Sequence, residues 1–331
     1  MKQKNVDVLA RMVFVADAMV AKMKKCLEKS KHVTPRDMFR SYPAIEMQTG
    51  VLVASEGHVM AVHKLKDYRF KPDDNVMLSE MAVLPVEVLQ MKGRIEVTLA
   101  NEGGDTVVTV TDEKGNKAAL KQTVRYPRWR SVVHSCTGSP IAVDCKAWDV
   151  ALKEIVPKLD SNACPVRLVG EHKSETLSIA WENYDINEQG SYSMNVGYMP
   201  HEMFVVMNGK RLRDMLAFGP KEMRFVDSTR AVLFLNDETF CMLMPLLLDA
   251  GRHCSVDRGS LEQFDIDKWV GADLGKVVCD NRAAARSNGT TELRNSGKAK
   301  AANPEPLTVN PEPTLADRLR AALLKQFGKA A

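Results

Sequence analysis

One complete folding unit can be read in MFVVMNGKRLRDMLAFGPKEMRFVDSTRAVLFLNDETFCMLMP, Met203 to Pro245. It begins with an apolar run typical of a buried strand. The next segment, GKRLRDMLAFG, carries Leu212, Met215 and Leu216 at the spacing of one helix face. Further apolar runs follow, and the letters NDET between the last two are typical of a hairpin turn. The stretch therefore predicts a strand, an amphipathic helix and a set of antiparallel strands.

The same order of elements occurs three more times before residue 250. The first copy opens with the strand ARMVFVAD and the helix AMVAKMKKCLEKSK, and the second contains the short helix LPVEVLQMKG. The third contains the clearest helix, AWDVALKEIVPKLD. Its apolar positions are interpreted as Val150, Leu152, Ile155 and Val156. Four copies of one unit predict two similar domains built by internal duplication, residues 1–135 and 136–250, each with two strand–helix–strands repeats. The expected class is α+β, with helices on one face of antiparallel sheets.

The remainder of the chain has a different composition. Residues 251–313 are rich in Ala, Asn and Pro toward their end and are predicted to be a partly disordered linker. Residues 314–331 predict an amphipathic helix, with Thr314 as N-cap and Leu315, Leu319, Leu323 and Phe327 on one face. Such a helix is expected to dock on a partner or on its own body.

Composition restricts the function classes. The 331 residues are 45% hydrophobic and 27% charged, with a net charge of +4, which is typical of a globular protein. No apolar run approaches the ~18 residues that cross a bilayer, and Arg11 and Asp17 interrupt the apolar N-terminal stretch, so we expect a cytoplasmic protein without membrane contact. The seven cysteines include no CxxC pair, which argues against a disulfide framework or a structural zinc site.

The chain offers few candidates for chemistry. It contains no phosphate-binding loop, no GxSxG elbow and no HExxH. Cys136 lies two residues from His134, but neighbours in sequence rarely have catalytic geometry. Glu56, His58 and His63 in VASEGHVMAVHKL invite a metal site or an acid–base pair. A hairpin turn with Gly57 supplying backbone freedom is the alternative, and it places His58 and His63 on opposite faces. We expect no enzyme, no metal and no cofactor.

The four predicted helices share basic outward faces. The residues are Lys22, Lys25, Lys29, Lys92, Arg94, Lys153, Lys210, Arg211 and Arg213. Lysines solvate many exposed helices, so a single stripe carries little information. Four equivalent stripes are as consistent with a surface for phosphates, although acidic residues interrupt the pattern.

Three stretches resemble one family, the sliding clamps of replicative DNA polymerases, and specifically the beta clamp of bacterial DNA polymerase III. VASEGHVMAV is similar to its hairpin Val-Ala-Thr-Asp-Gly-His-Arg-Leu-Ala-Val, and RYPRWRSVV to its turn Arg-Phe-Pro-Asp-Tyr-Arg-Arg-Val-Leu. Residues 204–248 are similar to its last strand, helix and sheet, including the terminal Met-Pro, here Met244 and Pro245. The resemblance implies the second and third domains of the three-domain bacterial subunit, without the first.

The resemblance implies a processivity factor whose ring encircles double-stranded DNA without sequence preference and tethers a DNA polymerase, after opening by a separate clamp loader. A ring needs six domains, so two per chain imply a trimer. The alternative is a clamp-like interaction protein that competes for or modulates clamp partners without encircling DNA.

The resemblance also implies a hydrophobic groove for a partner peptide carrying Leu and Phe. Carried over by position, its residues are Ser55, Gly57, His58, Val59, Met60, Met242, Met244 and Pro245. Val59 and Met60 stand where the family has arginine and leucine, which implies a somewhat different peptide. Methionines suit an adaptable groove, but a plain core position explains them equally well.

Overall fold

The structure is a computed structural model that describes residues 6–27, 38–73, 80–123, 126–133, 138–159, 164–183, 187–246 and 264–271. All of these residues belong to one compact unit within residues 1–280. The predicted C-terminal helix at 314–331, Lys29, and the pair His134 and Cys136 lie outside the described residues.

The described part of the first half contains nine strands and several short helices. The strands are β1 (Val6–Ala16), β2 (Ala44–Glu46), β3 (Val51–Ser55), β4 (Val59–Lys64), β5 (Lys66–Pro72), β6 (Met81–Val83), β7 (Gly93–Glu102), β8 (Asp105–Asp112) and β9 (Lys117–Lys121). The helices are α1 (Ala18–Lys22) with a 3₁₀ turn at Met23–Cys26, α2 (Met38–Ser41), a 3₁₀ helix at Val86–Gln90, and α3 (Trp129–Val133).

The described part of the second half repeats this plan. Its strands are β10 (Pro140–Ala142), β11 (Pro165–Gly170), β12 (Thr176–Asn183), β13 (Glu188–Asn195), β14 (Met203–Asn208), β15 (Glu222–Arg224), β16 (Val232–Leu235) and β17 (Thr239–Leu243). Its helices are α4 (Cys145–Ile155) with a 3₁₀ turn at Val156–Lys158, and α5 (Gly209–Leu216). A further short helix, α6 (Ile266–Val270), follows near the end of the described residues.

The four predicted repeats exchange their first strands in pairs. β1 belongs to the sheet of the second repeat, in the order β5-β1-β7-β8-β9, and β6 completes the sheet of the first repeat beside β2. The second half does the same, since β10 pairs with β15 and β14 pairs with β11. This exchange ties the two repeats of each half together, and every strand pairing in the sheets is antiparallel.

One strand pairing joins the two halves. β17 lies antiparallel to β4, with Thr239 opposite His63 and Leu243 opposite Val59. The result is an eight-stranded sheet in the order β10-β15-β16-β17-β4-β3-β2-β6. We refer to the β4–β17 pair as the junction. The division into clamp domains at residues 135 and 136 stays a prediction, because the shared sheet makes the two halves one compact unit.

In the first, third and fourth repeats, the helix begins directly after the first strand, where a short polar side chain caps it. Asp17, Asp144 and Asn208 accept hydrogen bonds from the first free amides of α1, α4 and α5. The helices form one layer across the junction, since Lys22 donates to the carbonyl of Ala217 at 2.7 Å, linking α1 with the end of α5. The prediction of helices on one face of antiparallel sheets is therefore confirmed for the repeat helices, whereas the short helices α3 and α6 lie on the other face.

Three details of the sequence interpretation differ from the structure. The predicted first helix, AMVAKMKKCLEKSK, is shorter, since α1 ends at Lys22, the 3₁₀ turn ends at Cys26 and Leu27 is extended. On α4 the buried residues are Trp148, Ala151, Leu152 and Ile155. Val150 is 57% exposed, because the helix turns its other side to the sheets. The prediction of Val150 as an apolar core position was wrong. The strand β5 was not predicted, since its residues KDYRFKP alternate polar and aromatic letters without a long apolar run.

A buried histidine stands at the junction. His63 is fully buried, its Nδ1 lies 2.8 Å from Oγ1 of Thr239 on β17, and its Nε2 lies 3.3 Å from Oδ2 of Asp17. Burial lowers the pKa of His63, and the Asp17 carboxylate opposes this only in part. The imidazole is therefore neutral in the folded protein near neutral pH.

The junction should lose stability below neutral pH. Because the folded pKa of His63 lies below its ordinary value of 6.5, the unfolded chain binds the proton first. The free energy of unfolding should then fall as pH drops below that value, with a slope of at most ~1.4 kcal/mol per pH unit from this group. Urea unfolding of the wild type and of His63→Gln from about pH 7.5 to 5.5 measures this pH dependence of the free energy of unfolding. The substitution should flatten the slope, and the exposed control His58→Gln should not.

Candidate peptide groove and helix surface

The SEGH segment is the turn of the β3–β4 hairpin. Gly57 has φ +96°, a left-handed conformation that favours glycine. The hydroxyl of Ser55 donates to the carbonyl of Val59 at 3.0 Å and accepts the amide of Gly57 at 3.2 Å. His58 is exposed at the tip, outside β4, whereas His63 is buried on the strand. That the two side chains point to opposite faces stays a prediction.

Glu56 participates in an ion pair rather than in a metal site. Its carboxylate contacts the guanidinium of Arg211 on α5, which ties the hairpin to the helix layer of the other half. Among the residues that the structure describes, no group of three His, Cys, Asp or Glu side chains is arranged to hold a metal ion.

The junction brings the two predicted walls of the groove together. Met60 lies directly opposite Met242 in the β4–β17 register, and the amide of Met244 donates to the carbonyl of His58 at 2.9 Å. Met60 and Met242 are nearly buried, while Met244 is 39% exposed. Pro245 follows as a half-buried residue. The exposed Met244 is thus the most accessible apolar side chain of the set.

Val59 differs from its neighbours in the predicted set. Its side chain belongs to the core cluster shared with the helices, whereas Met60 and Met242 belong to a second apolar cluster that contains Trp129 of α3. Successive residues of a strand point to opposite faces, so Val59 can contribute to the groove only through its backbone. We refer to the face that carries Met60, Met242 and Trp129 as the outer face.

The outer face is partly covered by residues that the sequence interpretation did not single out. Phe264, Ile266 and Trp269 pack on it next to Phe240, whose ring centroid lies 4.9 Å from that of Trp269. The signal for this segment is weak in sequence, because α6 has only five residues. Its alternation of apolar and acidic letters in FDIDKW was the one indication available.

Arg130 links this segment to the sheet. Its guanidinium donates to both oxygens of Glu46, at 2.8 and 2.7 Å, and also pairs with Asp267 of α6. The hydrogen bonds to Glu46, and secondly the Asp267 carboxylate, raise the pKa of Arg130 despite its partial burial. Such a two-pronged contact with a carboxylate is geometrically specific.

Most of the predicted basic residues on the helices have acidic or carbonyl partners. Lys25 lies 2.7 Å from Asp214, Arg213 lies 3.1 Å from Asp149, and Lys153 pairs with that same Asp149. Arg94 has a looser partner in Glu96, at 3.9 Å. These contacts reduce the net positive charge of the helix layer.

A different set of lysines is exposed and has no ion pair among the described residues. Each of the four repeats contributes such a lysine on or directly after its helix. Lys158, directly after α4, is also exposed, but its ammonium lies 5.0 Å from the ring centroid of Trp181 and is left out of the set. The set is Lys24, Lys92, Lys146 and Lys210. Lys92 and Lys210 were predicted, and Lys24 and Lys146 were missed, because sequence spacing does not show which basic side chains will find an acidic partner. We refer to these four residues as the helix lysines.

The fold is similar to that of known proteins, although the sequence is not. No family model and no curated protein matches the sequence. Several solved structures match the fold. The beta sliding clamp of C. crescentus has a TM-score of 0.56 and 15% identity, over 75% of this chain and 68% of that chain. The beta subunit of DNA polymerase III from Thermotoga maritima has a TM-score of 0.56 and 16% identity, over 75% of this chain and 68% of that chain. A Helicobacter pylori beta clamp, bound to a DNA ligase peptide, has a TM-score of 0.56 and 12% identity, over 75% of this chain and 68% of that chain.

These matches, together with the exchanged strands and the layer formed by the repeat helices, define the class as a DNA-clamp fold. More particularly, it is the fold of the bacterial DNA polymerase III beta sliding clamps. The predicted fold class and the resemblance are thereby confirmed at the level of the fold. In the described part of the chain, no helix is long and apolar enough to span a membrane.

Proposed function

We propose that this chain is a sliding clamp that closes into a ring around duplex DNA and tethers a DNA polymerase, with no catalytic activity of its own. The observation that carries this proposal is the junction together with two open strand edges. At the junction, β4, the third strand after the helix of the first repeat, pairs with β17, the third strand after the helix of the fourth. The third strands after the helices of the second and third repeats, β9 and β13, are the corresponding edges without a neighbour among the described strands.

The hydrogen-bonding groups of both edges face outward. On β9 the amide of Gln122 donates to Thr106, so Lys117, Ala119 and Lys121 alternate with it and direct their amides away from β8. On β13 the amide of Val196 donates to Glu175, so Ser191 and Ser193 direct theirs away from β12. A β9 edge and a β13 edge of another copy can therefore pair, and repetition of such a head-to-tail contact closes a ring.

Two other sheet edges, those of β5 and β6, are protected. Pro72 stands at an outward position of β5, where it removes an amide. On β6, the side chain of Gln122 bonds both backbone groups of Val83, at 2.9 and 2.7 Å. Proteins that avoid edge-to-edge association block their edges in this way. That β9 and β13 carry no such block favours their use as an interface.

The ring we propose contains three copies. The chain covers 68% of the C. crescentus clamp, the share expected of two domains out of three. Two domains per chain then need three chains to supply six. This count assumes a ring of the same size as the resemblance implies.

The proposed partner contact is the groove between the SEGH hairpin and the Met244–Pro245 segment. The junction places apolar side chains from both halves on the outer face with Met244 exposed. The Helicobacter pylori clamp, which shares the fold, was solved with a DNA ligase peptide. We infer that a polymerase, and a clamp loader in its turn, present a comparable peptide to this groove.

The helix lysines are the proposed DNA contacts. They are exposed and positively charged, and one lies in each repeat. Side chains arranged in this way can contact phosphates along a duplex without contacting the bases. The ion pairs elsewhere in the helix layer favour a second candidate function: a clamp-like protein that binds clamp partners without encircling DNA. A low positive charge would suit that role, and DNA binding separates the two functions.

Proline at either open edge should stop ring formation. Ala119→Pro removes an outward amide of β9, and Ser191→Pro removes one of β13, without breaking the ladder inside each sheet. Each variant alone should be monomeric by size-exclusion chromatography with light scattering, where the wild type is trimeric. An equimolar mixture should form a 1:1 dimer, because each variant retains the edge that the other has lost. A wild-type monomer at high concentration, or variants that still form trimers, would contradict the proposal.

A charge at Met244 should abolish partner binding. Met244→Glu places an unpaired carboxylate beside the apolar pair Met60 and Met242, so affinity for the polymerase peptide should fall at least about tenfold, or ~1.4 kcal/mol. The exposed Val150→Glu on α4 is the matched control and should change nothing. Fluorescence anisotropy measures both. Equal affinities would refute the groove assignment while leaving the ring untouched.

Removal of the helix lysines should weaken DNA binding and its salt dependence. If all four contact phosphates, alanine at each should reduce the slope of log K against log salt by roughly 3 to 4 per chain. The control removes four exposed charges from strands and turns: Arg69, Lys71, Lys114 and Lys173. Binding to end-blocked duplex DNA measures the effect. An unchanged slope would favour the second candidate function.

A further inference from the structure

Residues 264–271 lie on the outer face as a separate short segment. Ile266 is 2% exposed, and Phe264, Trp269 and Val270 pack around it against Phe240. The helix has defined ends, because the Asp265 side chain accepts the amide of Lys268 and Gly271 takes φ 76°. A helix of five residues is not stable alone in water. The surface beneath must therefore supply its stability.

That surface offers a matched set of polar and cationic contacts. The indole Nε1 of Trp269 donates to the carbonyl of Asn236 at 2.9 Å, and Nζ of Lys64 lies 4.2 Å from the centroid of the same ring. The guanidinium of Arg224 lies 5.5 Å from the ring centroid of Phe264. Ammonium and guanidinium groups at these distances attract aromatic faces.

The contacts come from both halves of the chain. Lys64 lies on β4 and Arg130 on α3, whereas Arg224 and Asn236 lie on β15 and in the turn before β17. Arg130, already held by Glu46, presents its remaining face to Asp267. This surface thus contacts an aromatic anchor, an apolar side chain and a carboxylate that all lie on one short helix. Contacts of this kind are typical of a helix bound in a groove.

We propose that this surface is a second peptide-binding site, occupied in this chain by its own residues 264–271. External ligands of the same chemistry are short amphipathic helices with a tryptophan anchor and a neighbouring carboxylate, and they displace the segment. Because Phe240 stands two residues from Met242 on the same face, the segment also borders the groove proposed above. The site itself rests only on contacts within the chain and not on the proposed clamp function.

Tethering explains why the chain's own segment occupies the site. Residues 247–263 connect it covalently to β17, and a short tether gives an effective concentration on the order of millimolar. A free peptide of the same sequence must compete against that concentration. Disabling the tethered copy should therefore open the site to the peptide.

The test uses the full chain and a fluorescent peptide, SLEQFDIDKWVGADLG, residues 260–275. The chain variant Trp269→Glu loses the indole contacts of its own segment, so it should bind the peptide at least about tenfold more tightly than the wild type does. A peptide carrying the same Trp269→Glu change should not bind either chain. Anisotropy titration measures all four combinations.

A second variant guards against a folding defect. Asp267→Lys places a cation beside Arg130 and weakens the tethered segment without touching the indole, so it should also gain peptide affinity, by a smaller factor. Equal binding by wild type and both variants, or no binding by either variant with an unchanged circular dichroism melt, would overturn the proposal. Neither DNA nor polymerase enters the titration, so a chain that forms no ring can still pass or fail this test.

Discussion

The antiparallel pairing of β4 with β17 is the interaction on which the rest of the structure depends. It converts two four-stranded sheets into one sheet of eight strands. Its register sets Met60 opposite Met242 and His63 opposite Thr239. A slip by one residue would exchange the faces of every side chain on the strand, burying the outer groups and exposing the core. The register therefore defines which residues face the helices and which form the outer face.

The two faces of this sheet have opposite characters. The helix side carries many charged side chains, and most of its basic residues form ion pairs within the layer, such as Lys25 with Asp214 and Arg213 with Asp149. These exposed pairs contribute little to stability. Their main effect is to leave the helix lysines as the open charges. The outer side is apolar, and its aromatic residues gather α3 and α6 over the junction. One face thus suits a polyanion held loosely, and the other suits peptides held by apolar contact.

Local patterns were good guides wherever neighbouring residues determine the structure. The apolar spacing of α5 predicted the buried residues Leu212, Met215 and Leu216, and the glycine of SEGH predicted the turn. On α4 the apolar spacing does not fix which side is buried, since Trp148 anchors the buried side and Val150 is exposed. The segments β5 and α6 were missed because their stability comes from the sheets on which they lie.

The sequence by itself determined the repeats, the antiparallel class and the side-chain caps of α1, α4 and α5, because periodicity and short polar side chains act within a few residues of the chain. Only the tertiary structure decided which repeats share a sheet, which basic side chains are paired and which segment covers the outer face. Those outcomes depend on contacts between residues far apart in the chain, such as Arg130 with Asp267 or Glu56 with Arg211. No local pattern encodes a partner at that distance, so the pairing emerges only when the packed sheets bring the side chains together.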